Sequence, residues 1–154
     1  MASYQTTKDQ LLKISRQLRQ QVKLHYPDIY KRLMTVPGIG PINAMCLIAE
    51  IGDMTRFKSC KHLASFVGLV PRSHQSGPKD SNCSLTYRSN NYLRTALVES
   101  AWMALRYDPA LLMYYKARIA KYNSQVVIIK VAHKVLNRIR YVWLSENVYQ
   151  KEII

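Results

Sequence analysis

Between Val67 and Tyr87 the chain reads "VGLVPRSHQSGPKDSNCSLTY", and within it Ser76 is followed by Gly77, with Arg72 and Lys79 close on either side. Arg88 and Arg94 follow a little further on. A hydroxyl set among fixed cations suits phosphoryl transfer: the oxygen attacks phosphorus, and the positive charge stabilises the five-coordinate transition state. Gly77 leaves room for a bulky phosphodiester beside the serine. His74, two residues before Ser76, is a candidate base. By composition alone, a solvated Ser/Gly loop with scattered cations is the competing reading.

A second constellation lies at "MTVPGIGPINA", residues 34–44. Gly38 and Gly40 flank Ile39, with Pro37 before and Pro41 after, at the mouth of an apolar helical pattern. A helix, a tight Pro-Gly-Ile-Gly turn and a second helix make a helix-hairpin-helix arrangement. Glycine permits positive φ and a close backbone approach, and proline suits the first turn of the helix that follows. The N–H groups at that helix start offer an anion site, which on DNA is a backbone phosphate gripped without regard to sequence. Ile39 is then the buried plug that holds the hairpin down. The alternative is a plain connector with no ligand.

Charge says what kind of partner to expect. The 154 residues carry 23 Lys and Arg against 9 Asp and Glu, a net +14, which exceeds what solubility alone needs. A polyanion is implied, nucleic acid first. An acidic membrane surface comes second, because no basic amphipathic segment stands apart from the rest. The acids are scattered, and no pair has the spacing of a two-metal site, so no metal ligands are assigned. Cys46, Cys60 and Cys83 are odd in number and widely spaced, which argues against a disulfide framework or zinc and for a reducing compartment. The N-terminus has neither the basic start nor the apolar run of a signal peptide. No apolar stretch reaches the ~18 residues of a membrane span.

The elements that must position these residues are helical. Leu11, Ile14, Leu18 and Val22 mark a narrow stripe on a basic helix over Thr6 to Tyr26, closer to a coiled-coil seam than to a core face. A short helix spans Ile29 to Met34, and another runs from Pro41 to Ile51. Ser59 caps a helix through Phe66. After the long loop, helices run from Asn90 to Arg106, from the Asp108-Pro109 start to Tyr122, and from Gln125 to Leu144. Their expected core residues are Leu93, Leu97, Ala101 and Leu105, then Ile128, Val131, Val135, Ile139 and Val142. The run Val126 to Ile129 could pass for a strand, but the longer period favours helix. Tyr114, Tyr115 and Tyr141 are candidates for stacking on bases, with packing the commoner role.

The stretch "TVPGIGPINAMCLIAEIGDMTRFKSCKHLASFVGLVPRSHQSG", followed by "RSNNYLRTALVESAW", resembles the C-terminal transposase domain of the insertion-sequence family often called IS-one-ten. The likeness runs from about Leu33 to Trp143. It rests on an order of motifs: the PGIG hairpin, an Ala-Glu-Ile-Gly-Asp helix end, a Gly-Leu-x-Pro-Arg step, a Ser-Gly loop, then Asn-x-x-Leu-Arg. The resemblance implies a recombinase whose loop serine becomes transiently linked to a DNA end. Carried onto this chain, the nucleophile is Ser76, with Arg72 on the Gly-Leu-x-Pro-Arg step and Asn90 and Arg94 on Asn-x-x-Leu-Arg. It also implies an N-terminal ribonuclease-H-like partner domain with an acidic tetrad and divalent metal (Mg²⁺), and a guide RNA. The chain departs from the family's Gly-x-Ile-Ser-Lys-x-Gly-Asn run, holding Tyr87 for the lysine and Ser89 for a glycine.

The expectation is therefore an all-α domain in which residues 1–27 end a coiled-coil-like connector and 28–154 form a C-terminal transposase domain. Ser76 attacks DNA. Gly38, Ile39, Gly40, Arg72, Lys79, Arg88, Asn90 and Arg94 contact nucleic acid. The metal-binding partner domain lies outside this chain, double-stranded DNA is the ligand, guide RNA a further partner, and a homo-oligomer the working assembly. The setting is cytoplasmic and nucleoid-associated. Two other readings stand beside it: a non-enzymatic helix-hairpin-helix module for DNA or RNA, and an inactive transposase fragment.

Overall fold

Side-chain caps set most of the helix starts. In the computed structural model, which describes residues 2–70 and 89–150, seven α-helices and one 3₁₀ turn account for the regular structure. They are α1 (Ala2–His25), α2 (Pro27–Leu33), α3 (Pro41–Ile51), the 3₁₀ turn Met54–Arg56, α4 (Cys60–Val67), α5 (Asn91–Tyr107), α6 (Pro109–Ile119) and α7 (Ser124–Ser145). Ser59 Oγ accepts the His62 N–H at 3.3 Å, and Asn90 Oδ1 accepts that of Leu93 at 3.1 Å. Asp108 Oδ1 accepts from Leu111 at 3.0 Å, and Asn123 Oδ1 from Gln125 at 3.0 Å. Each satisfies one of the donors that a helix start leaves without an internal partner. Pro27 and Pro41 open the first turns of α2 and α3, and Pro109 follows the Asp108 cap of α6, positions where the missing N–H costs nothing.

The helical reading holds throughout the described residues, which contain no strand. Val126 to Ile129 lies inside α7. Differences are at the ends. α1 begins at Ala2 rather than Thr6, α2 begins at Pro27 rather than Ile29, and α6 stops at Ile119 rather than Tyr122. The 3₁₀ turn was not expected; Asp53 makes it by accepting the Thr55 N–H at 2.8 Å.

α7 is the central strut. Val127, Ile128, Val131, Val135, Leu136, Ile139 and Val142 are buried along it, and α2, α4, α5 and α6 all pack on it. α5 turns Leu93, Leu97, Ala101 and Leu105 into the same core, with the stripe expected from its period. Small residues there matter: Ala101 and Ala104 are fully buried and let neighbouring backbone approach. α1 differs from the rest. Leu11, Ile14 and Leu18 are exposed and only Val22 joins the core, so its last turns are docked against α2 and α3 while its seam faces outward.

Candidate nucleic-acid interface

The Pro-Gly-Ile-Gly turn is built onto the middle of α5. Leu33 ends α2, the Val36 N–H donates to Leu33 O, and the Ile39 N–H donates to Val36 O, each at 3.1 Å. Val36 and Ile39 are buried, so Ile39 is the plug its apolar side chain suggested. Gly38 has φ +86°, and a Cβ there would lie 2.1 Å from Ser100 O and 2.9 Å from Ala104 N. Its close approach is therefore to α5, not to a space open to a ligand. Gly40 is different: it is extended, with φ −92° and ψ 174°, and a Cβ would meet nothing within 4 Å. It precedes Pro41 as the cap of α3, and its side offers no atom to the N–H groups of Ile42 and Asn43 that the first helical turn leaves free of intrahelical acceptors. Asn43 Nδ2 donates instead to the buried Ser100 Oγ at 2.7 Å, which locks α3 to α5.

α3 leads from this turn to Glu50, and Glu50 meets the start of α5. The Asn90 side-chain amide donates to the Glu50 carboxylate, while its own oxygen caps α5. Arg56 donates to Glu50 O at 3.4 Å and lies over Phe57 and Phe66, 4.7 and 4.9 Å from their ring centres. The Arg94 guanidinium bonds Asn91 Oδ1 and is half-buried. Asn90 and Arg94 thus share one end of α5, and the hairpin sits roughly 14 Å along the same helix, nine residues at 1.5 Å each.

The two ends of the serine-bearing segment are clamped together here. Gly68, with φ +82°, ends α4 and donates to Ala64 O at 2.9 Å, and Leu69 donates to the same oxygen at 2.9 Å. A Cβ on Gly68 would come within 2.3 Å of Ser89, and the Asn90 N–H donates to Phe66 O at 3.1 Å. The chain therefore leaves at Val70 and returns at Ser89 beside Asn90, Arg94 and Glu50. Ser76, Arg72, Lys79 and Arg88, together with His74, lie outside the described residues.

Two features were not anticipated. One is the Glu50–Asn90 link; its signal, a carboxylate at the end of α3, needs the α3–α5 packing to acquire meaning. The other is a cluster where Asp108, buried at the start of α6, pairs with Arg138 of α7 and accepts the Tyr149 O–H at 3.1 Å. Burial pushes the Asp108 carboxyl up, but the Leu111 N–H, the Arg138 guanidinium and the Tyr149 hydroxyl together hold it below the ordinary value. Tyr149 also donates its N–H to Thr35 Oγ1 at 2.8 Å, beside the hairpin. Among the described residues no three His, Cys, Asp or Glu side chains converge as a metal seat. No helix among them is long and apolar enough to cross a membrane.

Residues 30–116, which contain the hairpin, the clamp and the whole of α5, match the model of the family described as Transposase IS116/IS110/IS902. The chain belongs to that family. It is 38% identical over 77 residues to a transposase for insertion sequence element IS1111A of Coxiella burnetii, covering 50% of this chain and 21% of that one. It is 31% identical over 132 residues to a transposase for insertion sequence element IS1328 of Yersinia enterocolitica, covering 82% and 39%. A pilin gene-inverting protein of Moraxella bovis is 36% identical over 118 residues, covering 75% and 36%. The chain thus spans between about a fifth and two fifths of these relatives' lengths.

Proposed function

We propose that this chain is the DNA-binding and strand-transfer domain of an insertion-sequence transposase, with Ser76 as the nucleophile. The observation that carries the reading is the clamp. The clamp brings Gly68 against Ser89, so the two residues from which the serine-bearing segment departs and to which it returns lie beside Asn90 and Arg94. Arg72, Lys79 and Arg88 add positive charge within the segment. In the step itself, Ser76 Oγ bonds to phosphorus as the bond to one deoxyribose oxygen breaks. The serine proton passes to a base and the departing oxygen gains one, so the number of phosphoester bonds is unchanged. The fixed cations stabilise the charge of the transition state. Gly40 and the start of α3 hold a neighbouring phosphate and set the register of the duplex.

The divalent metal, the ribonuclease-H-like acidic domain and the guide RNA belong by this reading to the full-length transposase, working as a homo-oligomer in the cytoplasm on nucleoid DNA. The family membership and the partial coverage of the relatives support that division.

The test is a denaturing gel with end-labelled DNA, scored for a protein-linked band. This chain alone, with Mg²⁺ added, is expected to bind DNA without forming the adduct, because a serine hydroxyl needs more activation than cations supply. With the acidic domain and its RNA supplied, the band should appear, and Ser76→Ala should remove it while leaving DNA binding intact. A band that survives Ser76→Ala overturns the nucleophile.

A further inference from the structure

From Pro109 to Ser145 the chain holds seven lysines and arginines and not one aspartate or glutamate. α6 and α7 pair over this stretch, and the pairing sets Tyr114 of α6 and Tyr122 of the connection between them against lysines of α7. Lys130 Nζ lies 3.8 Å from the centre of the Tyr122 ring. One turn further along α7, Lys134 Nζ lies 4.4 Å from the Tyr114 ring, which the Arg118 guanidinium also approaches at 5.2 Å. At the far end Arg138 is neutralised by Asp108. Lys130 and Lys134 form no ion pair with a carboxylate among the described residues. Between the helices runs an open groove of about 420 Å³, lined by Ala110, Leu111, Tyr114, Lys134, Asn137 and Tyr141 among others. Tyr141 is 61% exposed, so the ring at this edge of the groove is open to a partner.

We propose that the α6/α7 groove is a binding track for single-stranded DNA. Lys134 in the groove and Lys130 just beyond its lining take successive phosphates, four residues or about 6 Å apart along α7, and Tyr141 stacks on a base. Cations beside aromatic rings are the combination that holds unpaired strands without reading sequence. A duplex, with its bases turned inward, has no face to offer Tyr141. Ala110 gives the groove an apolar wall, and the strand is DNA rather than RNA because the proposed function acts on DNA. The groove shares no residue with the hairpin turn, yet Tyr149 spans from Asp108 at its end to Thr35 beside that turn. A strand parted from a duplex held at the hairpin could therefore enter the groove directly. The proposal rests on the reading of the chain as acting on DNA, and adds to it a seat for the strand that cutting releases.

The experiment is fluorescence anisotropy on the full chain with labelled oligothymidine, a labelled duplex and labelled oligouridine. The parent should bind all three, with oligothymidine at least as tight as oligouridine. Tyr141→Ala should weaken oligothymidine binding about tenfold and change duplex binding less than about twofold. Tyr141→Phe, which keeps the stacking face, should bind as the parent does. Lys134→Gln should weaken oligothymidine and flatten its salt dependence. Circular dichroism confirms that the variants fold, which the exposure of Tyr141 favours. If Tyr141→Ala leaves oligothymidine unchanged, or lowers duplex binding equally, the track is wrong. Tighter binding of oligouridine overturns the assignment to DNA. A parent that binds duplex but not oligothymidine overturns this proposal alone, whereas one that binds no nucleic acid overturns the proposed function with it.

Discussion

Gly38 and Gly40 are two residues apart and ask different things of their surroundings. Gly38 combines a left-handed backbone with contact against the carbonyl of Ser100, which cannot move without distorting α5. Gly38→Ala should therefore cost about 1–3 kcal/mol for the backbone alone and more for the collision, read as a lower urea midpoint. Gly40 meets no such limit. Gly40→Asn places a favoured capping side chain where its oxygen can accept the N–H groups at the start of α3. It should leave the urea midpoint unchanged or raised, and weaken duplex DNA severalfold by occupying the phosphate's donors. Unchanged DNA affinity in Gly40→Asn would reduce the hairpin to a connector.

The start of α6 shows how an element end can hold three parts of the chain. Asp108 caps α6, pairs with Arg138 on α7 and receives the Tyr149 hydroxyl from the segment after α7. Its carboxyl titrates below the ordinary 3.8 in the folded chain. A depressed folded value means that the charged form is favoured by folding. The stabilisation is fully present above the unfolded value and is lost as pH falls through the folded one. Thermal stability should accordingly fall away in acid below about pH 4. Asp108→Ala should lower stability near neutrality by about 3–5 kcal/mol, because it leaves Arg138 half-buried without its partner, and should flatten the acid limb. If the variant melts with the parent's pH profile, Asp108 is not the group responsible. α1 is the opposite case: its seam of Leu11, Ile14 and Leu18 is exposed among the described residues.

At the scale of the whole molecule, net charge dominates. A chain of +14 binding duplex DNA displaces counterions, and each phosphate neutralised adds about −0.9 to the slope of log affinity against log salt. A steep negative slope with little sequence preference is expected from fluorescence titrations across salt concentrations. A flat line would remove the electrostatic reading. The relatives are two and a half to five times longer than the stretch they share with this chain, as coverages of 39% and 21% imply.

Much was legible without coordinates because it depends on local chemistry. Ser59, Asn90 and Asp108 act as caps wherever the following residues are helical, and the 3.6-residue period of Ile128, Val131, Val135, Ile139 and Val142 fixes the buried face of α7. The order of motifs from Pro37 to Arg94 sufficed for the family. What the sequence could not decide was which partners these faces find. Gly38 looked like a place where the chain's backbone comes close to a ligand, and its turn instead presses on Ser100, because α5 crosses there. Tyr114 and Lys134 are twenty residues apart, and only the antiparallel return of α7 stacks one on the other. Likewise Glu50 reaches Asn90, and Tyr149 reaches both Asp108 and Thr35, through contacts made when distant helices pack. Periodicity reports which side of a helix avoids water; it carries no information about which helix lies across from it, and that is decided by the three-dimensional packing alone.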